Sequence, residues 1–210
     1  MPIRITTAVM DNDTGRSAVT DDFLHAAPAR AANAPAACAY TTPARALHWI
    51  TAVLILFMIP TGFMAANEWG GSLQDSLYDL HKSIGALIIP IVLVRLVYRW
   101  RHPPLPLPAD VPPLQRLAAE ATHWALYALV VLQPLIGWIA TSAYPAPVPL
   151  FGWATLPPIW PADRALSDQL FSVHRLVGIA IACLVTAHVG GALYHHFVRK
   201  DRVLLRMISR

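Results

Sequence analysis

Two histidines, His174 and His188, lie 14 residues apart in a long apolar stretch of the sequence. A helix turns by about 100° and rises about 1.5 Å per residue, so 14 steps return a side chain to nearly the same face, about 21 Å further along. Residues 171–198 contain one formally charged side chain between their ends, Arg175, and exceed the roughly 20 residues needed to cross a bilayer. The pattern predicts a membrane helix with two imidazoles on one face, one near each edge of the hydrocarbon core.

Histidines at this depth are costly in lipid and usually functional. A neutral imidazole is a common metal ligand and a standard axial ligand of haem iron. The alternative is that both rings are buried and form hydrogen bonds with neighbouring helices. Ligation requires partner histidines at matching depths, so the other helices must decide between the two interpretations.

The composition is that of a membrane protein and not of a soluble domain, with 56% hydrophobic and 13% charged residues. A segment that spans lipid must be helical, because an open sheet edge cannot be satisfied there. Pro60, Pro90 and Pro134 lie inside apolar segments, where membrane bundles tolerate them as kinks. We therefore predict an all-α integral membrane four-helix bundle, with apolar segments at 46–66, 83–100, 117–141 and 171–198.

The chain divides into a tail and a membrane domain. Residues 1–40 are rich in Ala, Pro, Asp and Thr and lack a periodic apolar face, so we expect a disordered tail. The tail lacks the apolar core of a secretory signal. Residues 41–210 are expected to form the membrane domain.

Lys and Arg near the helix ends predict the orientation. The first link between helices contributes Lys82 alone and the third contributes Arg164 alone. We expect both termini and the second link to be cytoplasmic, in a multi-pass membrane protein. The basic residues on that side are Arg99, Arg101, Arg116, Arg199, Lys200, Arg202, Arg206 and Arg210.

The other helices carry histidines at matching depths. The first helix runs outward, so His48 lies near the inner edge, and the second runs back, so His81 lies near the outer edge. Because the fourth runs inward, His174 is outer and His188 is inner. We predict an inner pair, His48 with His188, and an outer pair, His81 with His174, which would hold two haems at two levels. His123 in the third helix is a rival for the inner site.

Small and basic residues accompany these positions. Gly85 and Gly178 each follow an outer histidine by four residues, on the face where a flat macrocycle needs clearance, although small residues also serve helix packing. Gly62 follows the inner histidine of the first helix by 14 residues, which places it at the outer level. Arg95 lies 14 residues after the outer histidine of the second helix. It could pair with a carboxylate of the inner haem or extend to the headgroups.

The links between the helices differ in composition. We expect residues 67–79 to form a polar outer loop, with the second helix beginning around His81. Residues 102–113 are proline-rich and predict an extended, semi-rigid link. Residues 142–168 contain several aromatic side chains among prolines, and we expect them to cap the outer end of the bundle. At the start of the first helix, Thr42 is the expected cap and Pro43 suits the first turn.

The ordered set of these residues resembles the prokaryotic cytochrome b561 family of four-helix dihaem inner-membrane proteins. The resemblance covers residues 40–207 and implies that His48, His81, His174 and His188 are the iron ligands. Arg175 stands where we expect an acidic residue in that family. The matching motifs are Leu47-His48-Trp49; His81 with Gly85 and Arg95; His123 with Tyr127, Pro134 and Gly137; the His174–His188 pair; and His195-His196-Phe197, Lys200-Asp201 and Leu205-Arg206-Met207.

The resemblance implies electron transfer from the periplasmic side to ubiquinone near the cytoplasmic side. His195 follows His188 by seven residues on the same face, where it could hydrogen-bond or protonate a quinone; the alternative is a solvated interfacial pair with His196. The haems are expected to be b-type and non-covalent, because the sequence has no Cys-x-x-Cys-His motif.

Two electron donors remain open. In the first, the protein is an enzyme that oxidises superoxide, with Lys82 and Arg175 as a local cationic funnel beside the outer haem. In the second, it is a non-enzymatic electron carrier or anchor for a periplasmic redox protein. A scaffold without cofactor is the third possibility. No nucleic-acid partner is expected, and the oligomeric state stays open.

Overall fold

The computed structural model describes residues 39–67 and 70–208. Four of its helices are long and apolar enough to cross a membrane, which confirms the predicted all-α membrane bundle. The predicted tail, residues 1–40, lies outside the described residues except for Ala39 and Tyr40. The four helices are α1 Thr42–Ala66, α2 Gly71–Arg101, α3 Pro113–Ala143 and α4 Arg164–Tyr194.

The helices pack as two pairs, α1 on α2 and α3 on α4. A small core of Ile84, Ile88 and Val92 from α2 and Val130 from α3 joins the pairs. Most other large apolar side chains are exposed, as expected for helices covered by lipid rather than by protein. The three prolines inside α1, α2 and α3 do not end their helices, as predicted.

The helix α2 begins at Gly71, about three turns before His81, so the predicted loop is wrong. The connection from α1 is a tight turn at Gly70, whose φ of 71° suits glycine. Gln74 satisfies free backbone groups of both helices: its Oε1 accepts from Gly70 N–H at 2.7 Å, and its Nε2 donates to the Ala65 carbonyl at 3.1 Å. These bonds allow the helix to start within a polar stretch.

The first turn of α1 also differs from expectation. The N-cap is Thr41, and Thr42 is already helical, with Pro43 in the first turn as predicted. The Thr41 hydroxyl forms no cap hydrogen bond and instead lies 2.8 Å from the Tyr98 hydroxyl of α2. The threonine therefore joins two helices.

The link between α3 and α4 contains a hairpin of two antiparallel strands, β1 Val148–Leu150 and β2 Ala154–Leu156. Its turn uses positive φ at Phe151 and Gly152. The buried Ser83 of α2 fastens the hairpin, because its Oγ accepts from Phe151 N–H at 3.0 Å and lies 2.9 Å from the Pro149 carbonyl. We call this end of the bundle the outer end.

At the opposite end, which we call the inner end, α4 continues as a π-helical turn, His195–Arg199, before the short helix α5, Leu205–Ile208. Lys200 ends the turn in the left-handed conformation, with a φ of 55°. Hydrogen bonds fasten α5 to the rest of the inner end: Tyr40 N–H to Arg206 O, Trp49 Nε1–H to Met207 O and Arg206 Nη1–H to Pro106 O.

Candidate functional site

The outer histidines, His81 of α2 and His174 of α4, have ring centres 6.2 Å apart and planes crossing at 74°. A metal binds an imidazole nitrogen at about 2.0 Å, with the ring centre about 1.1 Å behind it, so two imidazoles on opposite sides of one metal have centres about 6 Å apart. The two rings therefore have the spacing of a pair of axial ligands.

The hydrogen bonds of the outer rings occupy one nitrogen of each ring and leave the other available to bind a metal. His174 Nδ1 lies 3.1 Å from the Gln133 carbonyl, which can only accept, so Nδ1 carries the proton and Nε2 the lone pair. His81 Nδ1 lies 3.4 Å from the Thr61 hydroxyl, whose own proton points to the Phe57 carbonyl at 2.9 Å. A ring N–H held by a second acceptor is the usual arrangement of a metal-binding histidine.

Two glycines form the seats of these rings. A Cβ at Gly62 would lie 2.9 Å from His81 Cε1, and a Cβ at Gly137 would lie 3.0 Å from His174 Cε1. The distance at Gly62 is shorter than real side chains show, and the one at Gly137 is tighter than most real contacts, so a side chain at either position would push against the ring. Gly62 thus lies at the outer level, where its spacing in the sequence had placed it.

A cavity of about 1100 Å³ surrounds the outer pair. It is walled mainly by apolar side chains, as sites for large organic cofactors are. The glycines predicted to give clearance both line it, and the hairpin closes part of its outer side. Its lining includes His81, His174, Gly62, Gly85, Gly137, Gly178, Val148 and Leu156.

The two predicted funnel cations line this cavity but differ in their surroundings. Lys82 pairs with Asp79 at 2.9 Å and donates to the Pro147 carbonyl at 3.3 Å, so much of its charge is compensated and it fastens the hairpin. Arg175 is exposed and forms no ion pair within residues 39–67 and 70–208. Of the two, Arg175 is the better placed to attract an anion.

The inner histidines, His48 of α1 and His188 of α4, also have ring centres 6.2 Å apart, with planes crossing at 61°. The rival His123 of α3 lies only 5.0 Å from His188, in an edge contact. That distance is about 1 Å too short for two rings sharing a metal. The geometry therefore favours His48 as the partner of His188.

Arg95 points at the inner pair instead of extending away from it. Its Nη2 donates to His48 Nδ1 at 2.8 Å, and its guanidinium lies 5.2 Å from the centre of the Tyr127 ring. Arg99, which the sequence placed only among the basic residues of the cytoplasmic side, lies over the same ring at 5.0 Å. Its position four residues after Arg95, on the same helix face, was the signal in the sequence that placed it here.

The contact with Arg95 determines which nitrogen of His48 carries the proton. Arginine has no acceptor, so His48 Nδ1 accepts and Nε2 carries the proton. Iron binding through Nε2 would require Arg95 to exchange the ring nitrogen for another acceptor. A haem carboxylate is such an acceptor, and two half-buried guanidinium groups beside the pair suit a doubly anionic cofactor.

His195 belongs to a network that the sequence did not predict. Its Nδ1 donates to the Asp201 carboxylate, which also accepts from Val203 N–H at 3.0 Å. Burial raises the pKa of Asp201, but the hydrogen bonds from His195 and Val203 outweigh it, and the net pKa lies below its ordinary value. Arg199 lies 3.4 Å from the same carboxylate and pairs with Asp110 of the proline-rich link at 2.8 Å.

The number of available ligands indicates the kind of metal centre. Within residues 39–67 and 70–208, no group of three or more His, Cys, Asp or Glu side chains converges to hold a metal ion. A bare ion usually needs three or four protein ligands, whereas haem iron leaves two axial positions for the protein. Paired imidazoles beside a large apolar cavity therefore fit haem.

Comparison with known proteins agrees with this chemistry. The family model of prokaryotic cytochrome b561 matches residues 39–210. The chain is 32% identical to cytochrome b561 homolog 2 of Escherichia coli over 173 residues, 81% of this chain and 92% of the relative. It is 28% identical to the probable superoxide oxidase CybB of Yersinia pestis, over 78% of this chain and 92% of that protein. Cytochrome b562 of Cereibacter sphaeroides is 29% identical, with 80% and 94% covered.

The match extends over all four long helices and both pairs of histidines. Spanning helices, paired imidazoles and the matched family agree on one class of protein. The chain belongs to the prokaryotic cytochrome b561 family, multi-pass membrane electron-transfer proteins of the bacterial inner membrane that bind b-type haem.

Proposed function

We propose that the protein carries electrons across the membrane between two b-type haems, the outer held by His81 and His174 and the inner by His48 and His188. The observation that carries the proposal is the common 6.2 Å spacing of both ring pairs. Haem supplies a one-electron carrier at each pair. The chain's own residues hold the iron, orient the imidazoles and surround the site with apolar side chains.

We further propose ubiquinone as the electron acceptor at the inner end, on the cytoplasmic side. Ubiquinone takes up two electrons and two protons to become ubiquinol, so the inner end must supply protons. Asp201 accepts from His195 Nδ1–H, so Nε2 is free to take up a proton from the cytoplasmic side and, as the imidazolium, pass it to a quinone carbonyl oxygen. A carboxylate that orients an imidazole and stabilises its protonated form is a recurring acid–base arrangement.

Superoxide is the donor that we favour at the outer, periplasmic end. Each superoxide that gives up one electron becomes dioxygen, so this step needs no proton. The exposed Arg175 at the rim of the outer cavity supports attraction of a small anion. A relative named as a probable superoxide oxidase shares 28% identity with the chain, which supports the same donor.

A second candidate is a non-enzymatic electron-transfer or anchor subunit that receives electrons from a periplasmic protein. The hairpin favours it, because Trp153 at the turn is 94% exposed and the neighbouring Phe151 is 50% exposed. Exposed aromatic side chains are common at the centre of protein interfaces.

Purified protein in vesicles containing ubiquinone separates these candidates. Superoxide generated outside should reduce the haems within the mixing time and yield ubiquinol, whereas a carrier should stay oxidised until a protein donor is added. Vesicles without ubiquinone are the control and should stop at reduced haem. Haem that superoxide leaves oxidised would contradict the enzyme proposal.

A further inference from the structure

Gln133 of α3 contacts His174 of α4 twice. Its backbone carbonyl accepts from the ring Nδ1–H at 3.1 Å, and its side-chain Nε2 donates to the His174 backbone carbonyl at 2.9 Å. The first bond holds the imidazole and the second holds the backbone that carries it. One residue therefore controls both the position and the direction of the ring.

Burial among lipid-spanning helices favours an apolar side chain at this position and does not explain a glutamine. Gln133 is half-buried among the lipid-spanning helices, and its Oε1 is buried without a hydrogen-bond partner in the described part of the chain. An unsatisfied buried acceptor is costly, and an apolar side chain of similar length would avoid it. The next residue, Pro134, removes one helix hydrogen bond from this turn, so the side-chain bond adds a constraint where the helix is weakened.

The two outer rings are held unequally. Each ring lies against a glycine, but His81 Nδ1 has the Thr61 hydroxyl at 3.4 Å, whereas His174 Nδ1 has the Gln133 carbonyl at 3.1 Å. Donating a ring N–H to a good acceptor makes the other nitrogen a stronger ligand, and hydrogen bonding of this kind tunes haem potentials. A stronger nitrogen donor favours the oxidised iron.

We infer that Gln133 is a positioning residue for the outer haem, because its amide holds His174 in register with the carbonyl that sets the ring's tautomer and basicity. The inference rests on the proposed ligation by His174. The amide bonds to the backbone of α4, so it affects the iron only through the position and basicity of the imidazole.

The test is Gln133→Met in the full-length, haem-loaded protein, because Met keeps the length of the side chain and removes the donor. Potentiometric titration should show a higher midpoint potential for the outer haem and an unchanged inner one. The low-spin electron paramagnetic resonance signal of the outer haem should shift, and its haem affinity should fall about tenfold. Leu132→Met, at the exposed neighbouring position, is the matched control and should change neither haem.

An outer haem with unchanged potential and signal in Gln133→Met would overturn the inference, as would equal changes at both haems. If this variant does not accumulate, Gln133→Asn replaces it, because its shorter amide cannot reach the His174 carbonyl and should give the same pattern. His174→Ala separates the two proposals. If His174→Ala retains the outer low-spin haem, the proposed ligation is wrong; if it loses that haem while Gln133→Met behaves as wild type, only the inference fails.

Discussion

Three of the four proposed ligands differ in the partner that their Nδ1 contacts in this structure. His174 donates to a backbone carbonyl and His81 to a hydroxyl, whereas His48 accepts from Arg95. Second hydrogen bonds determine the direction and basicity of a ligand ring. Backbone and side-chain groups around the rings therefore distinguish the two levels of the bundle.

The pairing itself predicts a pattern of haem loss. Purified wild type should contain two haems per chain by pyridine haemochrome, and His81→Ala and His174→Ala should each lose the same one, because six-coordinate low-spin iron needs both rings. His48→Ala and His188→Ala should each lose the other. His123→Ala is the matched control and should keep both low-spin signals. If His123→Ala loses the inner haem and His48→Ala keeps it, the inner assignment is wrong.

The charges at the outer rim predict unequal effects of two substitutions. Arg175→Glu should slow haem reduction by superoxide about tenfold at low ionic strength, and the effect should shrink with added salt. Lys82→Met should have a smaller effect, because Asp79 already compensates much of the lysine charge. Arg164→Glu, an exposed outer arginine whose partner is Asp168, is the control for net charge. Stopped-flow rates that are indifferent to Arg175 would favour a protein donor.

At the level of elements, two features position the histidine rings. One is the glycines within the helices, and the other is the turn at the end of α4. Glycines of α1 and α3 receive the outer rings, while the π-helical turn after α4 brings His195 to Asp201. π-Helical turns are often found at functional sites. The glycines act within regular helices, whereas the π-helical turn is a local departure from one.

The glycine seat on α3 can be tested against the usual preference for alanine. Alanine normally stabilises a helix by about 1 kcal/mol relative to glycine. Gly137→Ala should instead lower outer-haem content, because its Cβ would lie 3.0 Å from His174 Cε1. Gly190→Ala in α4 is the matched control, since a Cβ there meets nothing within 4 Å. Full outer-haem occupancy in Gly137→Ala would show that the ring has room to move.

The inner-end network predicts a pH-dependent stability. The folded pKa of Asp201 lies below its ordinary value of 3.8, so the folded protein binds fewer protons and stability rises with pH through this window. Its contribution should be complete above about pH 5 and lost as the pH falls through the folded pKa. Asp201→Asn should cost about 1–3 kcal/mol at pH 7. The melting-temperature gap between Asp201→Asn and wild type should narrow as the pH falls below the ordinary pKa of 3.8. A gap that is independent of pH would contradict this prediction.

At the scale of the whole molecule, α4 contributes one ring to each level and so links the two proposed haems. Its rise places them about 21 Å apart, which spans most of a hydrocarbon core of about 30 Å. Basic side chains concentrate at the inner end, which supports the proposed orientation with both termini cytoplasmic. The proposed direction of electron transfer is therefore from the outer end, at the hairpin, to the inner end, at the π-helical turn.

The two half-reactions should separate in variants of opposite ends. His195→Ala should leave reduction of the haems by superoxide fast and slow their reoxidation by ubiquinone at least tenfold, because proton delivery is lost. His196→Ala, the neighbouring half-buried histidine, is the matched control. Stopped-flow measurement of both steps in the same vesicles tests this prediction. Fast reoxidation in His195→Ala would remove His195 from the quinone site.

Much of this protein follows from local helix geometry. The 14-residue interval between His174 and His188, and between His48 and Gly62, is set by helix rise and turn, so the levels of these residues are readable from spacing alone. Four membrane helices follow equally from apolar segment length, because lipid permits few other structures. Both features depend on residues close together in the chain.

Contacts between helices required the tertiary structure. The Gln133–His174 and Arg95–His48 bonds depend on the rotation and register of packed helices, which all the interface residues determine together and which spacing does not encode. The Lys82–Asp79 pair joins residues three apart, and it requires a helix that already includes Asp79, as α2 does because it begins at Gly71. At that start Gln74 bonds across the turn to Ala65, a contact between two helices that the spacing of apolar residues does not indicate.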